Sequence, residues 1–145
     1  MKMEYKKVNL DECLDELHEL MKTIFENAYS KEKIIERLKD KKYWIYVAEA
    51  KGKIVGFKIW YEESPEKIYS WLGGVHPDYR RQKIATKLLE IQFDFAKKND
   101  YEVVEIKTHK GHPEMIKFLE KENFANTNIE KNHLGDGKDA IFYER

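Results

Sequence analysis

The stretch Leu72-Gly73-Gly74-Val75-His76-Pro77-Asp78-Tyr79-Arg80-Arg81-Gln82-Lys83-Ile84-Ala85-Thr86-Lys87-Leu88-Leu89 runs a strand end, a short loop and an amphipathic helix start into one another. Amides at a helix N-terminus have no partner inside the helix, and the helix dipole adds positive character there. Between Asp78 and Lys87 stand four basic residues and one acidic one. A strand–loop–helix with that rim is built to hold a phosphate or pyrophosphate. The plainer reading is a basic helix start with nothing bound.

Proton transfer has fewer candidates. His76 titrates in the useful range, but a histidine in a loop is ordinary. Glu62 and Glu63 close the preceding strand, where hairpin solubility would account for them. His109-Lys110-Gly111-His112 offers two imidazoles without nearby acidic or cysteine ligands, so no metal site is expected. Cys13 is the single cysteine, which excludes an internal disulfide framework and a multi-cysteine zinc site. Nothing near it would generate a thiolate, so an acyl-cysteine route is not expected.

These residues need a scaffold, and hydrophobic periodicity supplies one. Met3 to Val8 predicts an opening strand. Leu14, Leu17, Leu20, Met21 and Ile24 recur at helical spacing within Asp11–Phe25, with Glu12, Asp15, Glu16 and Glu19 on a solvated face. Ser30 is the expected N-cap of a second helix with Ile34, Ile35 and Leu38 inward. Strands are expected over Tyr43–Ala48, Ile54–Tyr61 and Ile68–Val75, joined by Lys51-Gly52-Lys53 and by a polar turn, Glu62 to Glu66. A long helix from Arg81 to Lys98 should bury Ile84, Ala85, Leu88, Leu89 and Phe95. A strand over Tyr101–Thr108 comes next, then a helix opening near Pro113 with Met115, Ile116 and Leu119 as its stripe. Phe124–Lys131 and Ala140–Tyr143 close the chain as two strands through Gly135-Asp136-Gly137. The order βααβββαβαββ predicts an α/β fold with a mixed sheet rather than a doubly wound one. Tyr43, Trp44, Tyr46, Trp60, Tyr61, Tyr69 and Trp71 should pack on neighbouring strands, with one or two lining a pocket.

Composition bounds the partners. The 145 residues suit one domain, 1–145, and 41% hydrophobic with 13% aromatic content excludes a disordered linker. Basic and acidic groups balance at 27 each, which argues against wrapping nucleic acid or an anionic membrane. No apolar run approaches the roughly 20 residues of a membrane span. The first residues lack a signal-peptide core, and a cytoplasmic protein is expected.

The segment Val75-His76-Pro77-Asp78-Tyr79-Arg80-Arg81-Gln82-Lys83-Ile84-Ala85 resembles the acyl-CoA signature of the GNAT superfamily of N-acetyltransferases. Arg80 and Ala85 match its ends, whereas Lys83 stands where the family has Gly. Met115-Ile116-Lys117-Phe118-Leu119-Glu120-Lys121-Glu122-Asn123-Phe124 is similar to the family's late helix segment, with Leu119 at the position of a Tyr that protonates the departing thiolate. The resemblance spans essentially the whole chain. It implies acetyl-CoA as donor co-substrate, with Gly73, Gly74 and Val75 pairing their backbone with the pantetheine arm. Through a strand bulge, the Val75 N–H would serve the thioester oxygen. Arg80, Arg81, Gln82, Lys83, Ile84, Ala85 and Thr86 would cradle the pyrophosphate, with helical backbone at Lys83 keeping the approach open. His112 and Leu119 would lie beside the cofactor. An amine acceptor would attack directly, in a cleft where the strands flanking the cofactor strand splay. Glu62 and Glu63 would border that cleft as candidate bases or acceptor-orienting groups. The acceptor is expected to be a small-molecule, peptide or protein amine, with a homodimer left open. The alternative is a GNAT-fold module that binds acetyl-CoA without catalysis, as a sensor or interaction partner.

Overall fold

A computed structural model describes residues 2–109, 125–130 and 140–144, with side chains described as far as Ile106. Its elements are β1 (Met3–Val8), α1 (Leu10–Ile24), α2 (Lys31–Leu38), β2 (Tyr43–Ala50), β3 (Lys53–Ser64), β4 (Lys67–Val75), a 3₁₀ turn (Pro77–Tyr79), α3 (Ile84–Lys98), β5 (Val103–His109), β6 (Ala125–Glu130) and β7 (Ala140–Glu144). Ser30 caps α2 as expected, its hydroxyl accepting from the Lys33 N–H at 3.2 Å. Several boundaries differ from the sequence reading, and two of them bear on the site. Strand β3 continues through Glu62 and Glu63 to Ser64, because Glu62 still pairs with Ile68. Helix α3 begins at Ile84 rather than Arg81, because Arg81 and Lys83 take left-handed backbone angles that end any helix. The helix expected after Pro113, including Leu119, the residue His112 and the Gly135-Asp136-Gly137 turn lie outside the described residues.

The seven strands form one sheet in the order β1-β2-β3-β4-β5-β7-β6. All neighbours are antiparallel except β4 and β5, which run parallel across the α3 crossover. The β4–β5 pairing covers only Lys67↔Val103 to Ser70↔Ile106. Beyond it β5 keeps β7 as partner and β4 keeps β3, so the sheet opens between β4 and β5. The opening was expected on both sides of the cofactor strand; it lies on one. Its cause is local. Ile59 pairs with Leu72 and Trp60 with Ser70, which leaves Trp71 as an extra residue in β4. Such a bulge increases strand twist, and it turns β4 away immediately after its last pair with β5. The bulge is therefore at Trp71, four residues before the expected Val75.

Alternation sends the apolar residues to two faces. Leu17, Leu20 and Met21 of α1 and Ile34 and Leu38 of α2 cover Ile45, Val47, Phe57, Ile59, Tyr61 and Tyr69. On the other face Leu89 and Ala96 of α3 cover Trp60, Ile68, Val104 and Ile106, while Ile84 and Leu88 cover Ala48 and Val55. Ile35 is 49% exposed, since the short α2 turns only Ile34 and Leu38 inward. Ala85 is likewise exposed. Glu16 is not merely solvated: its carboxylate accepts the Ile54 N–H at 2.8 Å and ties α1 to β3. Among the described residues no helix is long and apolar enough to cross a membrane.

Gln92 sits fully buried on the sheet-facing side of α3, and neither end of its amide has a hydrogen-bond partner among the described residues. Leaving such a group unpaired costs about 1–3 kcal/mol. Gln92→Met keeps the volume and removes both polar atoms. It is expected to raise unfolding free energy by about 1–2 kcal/mol in denaturant titrations.

Candidate functional site

The open edge of β4 presents backbone rather than side chains. The His76 N–H donates to the Val55 carbonyl at 2.7 Å, next to the register pair Gly56↔Val75. In an antiparallel ladder this makes Gly56↔Val75 a non-hydrogen-bonded pair, and Lys58↔Gly73 another. The N–H and C=O groups of Gly73 and Val75 therefore point away from β3, into the gap left by β5. Gly74 bonds back to β3 instead. Its role is spatial, because a Cβ there would stand 3.1 Å from Ile24 at the end of α1.

The loop after β4 is ordered by its own backbone. The His76 Nδ1 accepts the Asp78 N–H at 3.1 Å, and the Tyr79 N–H donates to the His76 carbonyl at 2.9 Å. His76 is thus a loop-shaping residue here. Arg81 (φ 66°) and Lys83 (φ 60°) are both left-handed, and Lys83 is the N-cap of α3, its carbonyl taking the Lys87 N–H at 3.0 Å. The expectation of helical angles at Lys83 is corrected: the lysine occupies the conformation that a glycine adopts freely. The amides of the first α3 turn remain without helical partners, flanked by the exposed Arg80, Arg81, Gln82, Lys83 and Lys87. Ile84 contributes backbone alone, since its side chain is buried against Gly56. A left-handed non-glycine residue costs about 1–2 kcal/mol, so Lys83→Gly is expected to stabilise the fold by about 1 kcal/mol in thermal or denaturant unfolding. It should preserve or tighten binding of CoA by calorimetry; a large loss of affinity would make the lysine ammonium itself a phosphate ligand.

On the α1/α2 face, beside the start of the opening, three strands bring side chains into one row. Tyr61 pairs with Tyr69, and Tyr69 with Glu105. The tyrosine rings lie 5.4 Å apart, and Trp71 is 6.4 Å from Tyr61. The Arg37 Nη1 donates to the Tyr61 Oη at 3.1 Å and its guanidinium lies 5.0 Å from the Trp71 ring. Tyr29, from the α1–α2 connection, lies 5.4 Å from the Trp71 ring with the two planes tilted by 47°. The Glu105 Oε2 accepts from the Lys67 Nζ at 3.4 Å. Burial and then the neighbouring Glu63 hold the Glu105 carboxyl above the usual carboxylate range, against the pull of Lys67. Burial also raises Tyr69, so its hydroxyl stays protonated at neutral pH.

Glu62 and Glu63 do not act together. Glu62 is on the α3 face, where its Oε1 accepts the Tyr101 hydroxyl at 2.9 Å. Burial and this carboxylate push Tyr101 up to about 12. Glu63, the unpaired residue of the β3 irregularity, joins Glu105 on the other face. Glu105, Lys67 and Arg37 were missed by the sequence reading, because each belongs to a segment with no motif. Cys13 is buried in the α1/α2 core, and that burial raises its thiol to about 11. Among the described residues no group of three His, Cys, Asp or Glu could hold a metal.

Residues 14–124 match the model of the acetyltransferase (GNAT) family. Comparison of the sequence with curated proteins returns no match. The fold is shared with several solved structures. The ribosomal-protein-S18-alanine N-acetyltransferase from Escherichia coli superposes with a TM-score of 0.89 at 18% identity, covering 99% of this chain and 92% of that one. Ard1 from Thermoplasma volcanium gives 0.87 at 18% identity over 100% and 97%. A GNAT family acetyltransferase from Elizabethkingia anophelis, with acetyl-CoA bound, gives 0.83 at 20% identity over 98% and 96%.

Proposed function

Because the chain belongs to the GNAT acetyltransferase family, we propose that it acts as a single domain that transfers the acetyl group of acetyl-CoA to a primary amine by direct attack. The observation that carries this reading is the open edge of β4, where Gly73 and Val75 turn free backbone groups into the gap beside a cationic, left-handed loop. That edge suits an extended amide-containing arm laid along it as an added strand. The loop's unpaired amides and the cations at Arg80, Arg81 and Lys83 suit the diphosphate beyond it. With the diphosphate at the loop, the acyl end of the arm falls toward the bulge at Trp71 rather than at Val75. A free N–H at that end of the edge would stabilise negative charge on the acyl oxygen.

The acceptor enters from the α1/α2 face, where the rings of Tyr61, Tyr69 and Trp71 and the carboxylates of Glu63 and Glu105 meet. A neutral nitrogen is needed for attack, and Glu105 takes its proton directly or through one water. Arg37, with guanidinium donors beyond the one given to Tyr61, orients an acceptor that carries a carboxylate or carbonyl near its amine. Amino acids and peptide ends fit this description. The left-handed Lys83 keeps the loop backbone in a glycine-like path, which removes one reason for reading the chain as a non-catalytic binding module.

The deciding assay is acetyl-CoA turnover over a panel of amines, followed by thiol release. Tight CoA binding by calorimetry with no turnover on any amine would favour the module. A separate result distinguishes the two adjacent glutamates. Glu63→Gln removes a negative neighbour of Glu105, so the acid limb of the pH–rate profile should move to lower pH. Glu62→Gln should leave that limb in place, since Glu62 faces Tyr101 across the sheet. An identical profile in both variants would remove Glu63 from the site.

A further inference from the structure

Lys58 is the register partner of Gly73, and its side chain crosses β4 on the α3 face. Its Cγ and Nζ lie 3.5 and 3.6 Å from the point where a Gly73 Cβ would stand. The ammonium thus lies in van der Waals range of the Gly73 backbone, on the strand that carries the open edge. Its surroundings are neutral among the described residues: Tyr46 across on β2, Trp60 two residues along on the same face with its ring stacked on Tyr46 at 5.2 Å, and Gly73 itself. Among the described residues no charged group contributes to its titration, and burial lowers the ammonium to about 8. A cation held without a counterion is costly.

We propose that Lys58 is the proton donor for the leaving thiolate, acting from above Gly73 on the acyl donor laid along β4. This rests on the donor-site reading of that edge. As the acceptor nitrogen bonds to the acyl carbon, the carbon–sulfur bond breaks and its electron pair stays on sulfur. The Lys58 ammonium gives a proton to that sulfur and becomes a neutral amine, which solvent reprotonates. The proton lost by the acceptor nitrogen leaves separately, through Glu105. The match is chemical as well as spatial, because a free alkyl thiol titrates near ~8.5.

The test uses wild-type protein, Lys58→Met and Lys58→Arg, with CoA as the probe. Calorimetry measures CoA affinity, and thiolate ultraviolet absorbance across pH measures the ionisation of the bound thiol. In the wild type the bound thiol should titrate about one unit below free CoA. In Lys58→Met it should return to the free value or above, with CoA affinity within a few-fold and kcat lower by about 10²-fold. Lys58→Arg should keep the lowered thiol titration through its charge but not restore kcat, since guanidinium does not release its proton. The same thiol titration in wild type and Lys58→Met overturns the proposal. So does acetylation of Lys58 itself on incubation with acetyl-CoA, which would make the amine a nucleophile. Absence of CoA binding to the wild type would instead overturn the donor-site reading beneath it. If Lys58→Met fails to fold, the Lys58→Arg kinetics and the wild-type thiol titration decide.

Discussion

Glu105→Gln should lower kcat by about 10²–10⁴-fold, with KM for acetyl-CoA nearly unchanged. Gln keeps the size and can still accept from the Lys67 Nζ, so the row Tyr61–Tyr69–Glu105 stays packed while its base is lost. The pH dependence carries the more specific signature. A base must be ionised, and burial with Glu63 alongside places the Glu105 ionisation above the usual carboxylate range. The wild-type rate should therefore rise with pH through that raised value, and the acid limb should vanish in Glu105→Gln. Stability moves the opposite way. The folded chain holds this proton more tightly than the unfolded chain, so wild-type stability falls as pH climbs from the ordinary carboxylate value through the raised one. Glu105→Gln should lack that fall in unfolding measurements. Unchanged kcat, or an acid limb that survives the substitution, would exclude Glu105 as the base.

Lys58→Met should stabilise the protein while it impairs turnover. At neutral pH the folded state holds a partly buried ammonium without a counterion among the described residues, and burial lowers that group from 10.5 to about 8. A shift of that size corresponds to a cost of about 3 kcal/mol below pH 8, present in full while both states are protonated. Between pH 8 and 10.5 the unfolded chain still binds a proton that the folded chain has released, so wild-type stability should rise across that window. Met fills the same channel with apolar atoms and removes the penalty. Unfolding free energy from denaturant titrations at pH 7 should favour the variant by about 3 kcal/mol, and the gap should close as pH approaches 10.5. A group that destabilises the fold and serves the reaction is the usual form of a stability–activity trade-off. Equal stabilities at pH 7 would mean that the lysine is better solvated than its burial implies.

The residues visible from sequence and those found only in the fold differ in one physical respect. Element order follows from local periodicity, and a period of 3.6 in Leu14–Ile24 or of 2 in Tyr43–Ala48 is written within a few residues. The cationic turn before α3 was legible for the same reason, since strand end, loop and helix start are contiguous. The left-handed angles at Arg81 and Lys83 were not, because lysine and arginine carry no signal for them. Nor was the place where β4 leaves β5. It depends on the register of β4 against β3, which makes Trp71 the extra residue and turns Gly73 and Val75 to the open side. Glu62 and Glu63 face opposite ways because consecutive strand residues alternate. What the sequence hid was that the strand continues through them, since the segment reads as a polar turn. Glu105 meets Tyr69 and Glu63, and Lys58 meets Gly73, only when strands distant in sequence align. Sequence by itself determined which segments form the sheet and where the cationic turn before α3 begins. Tertiary structure alone decided which backbone groups, carboxylates and amine converge on the gap, because strand pairing is a long-range choice fixed by packing on both faces of the sheet.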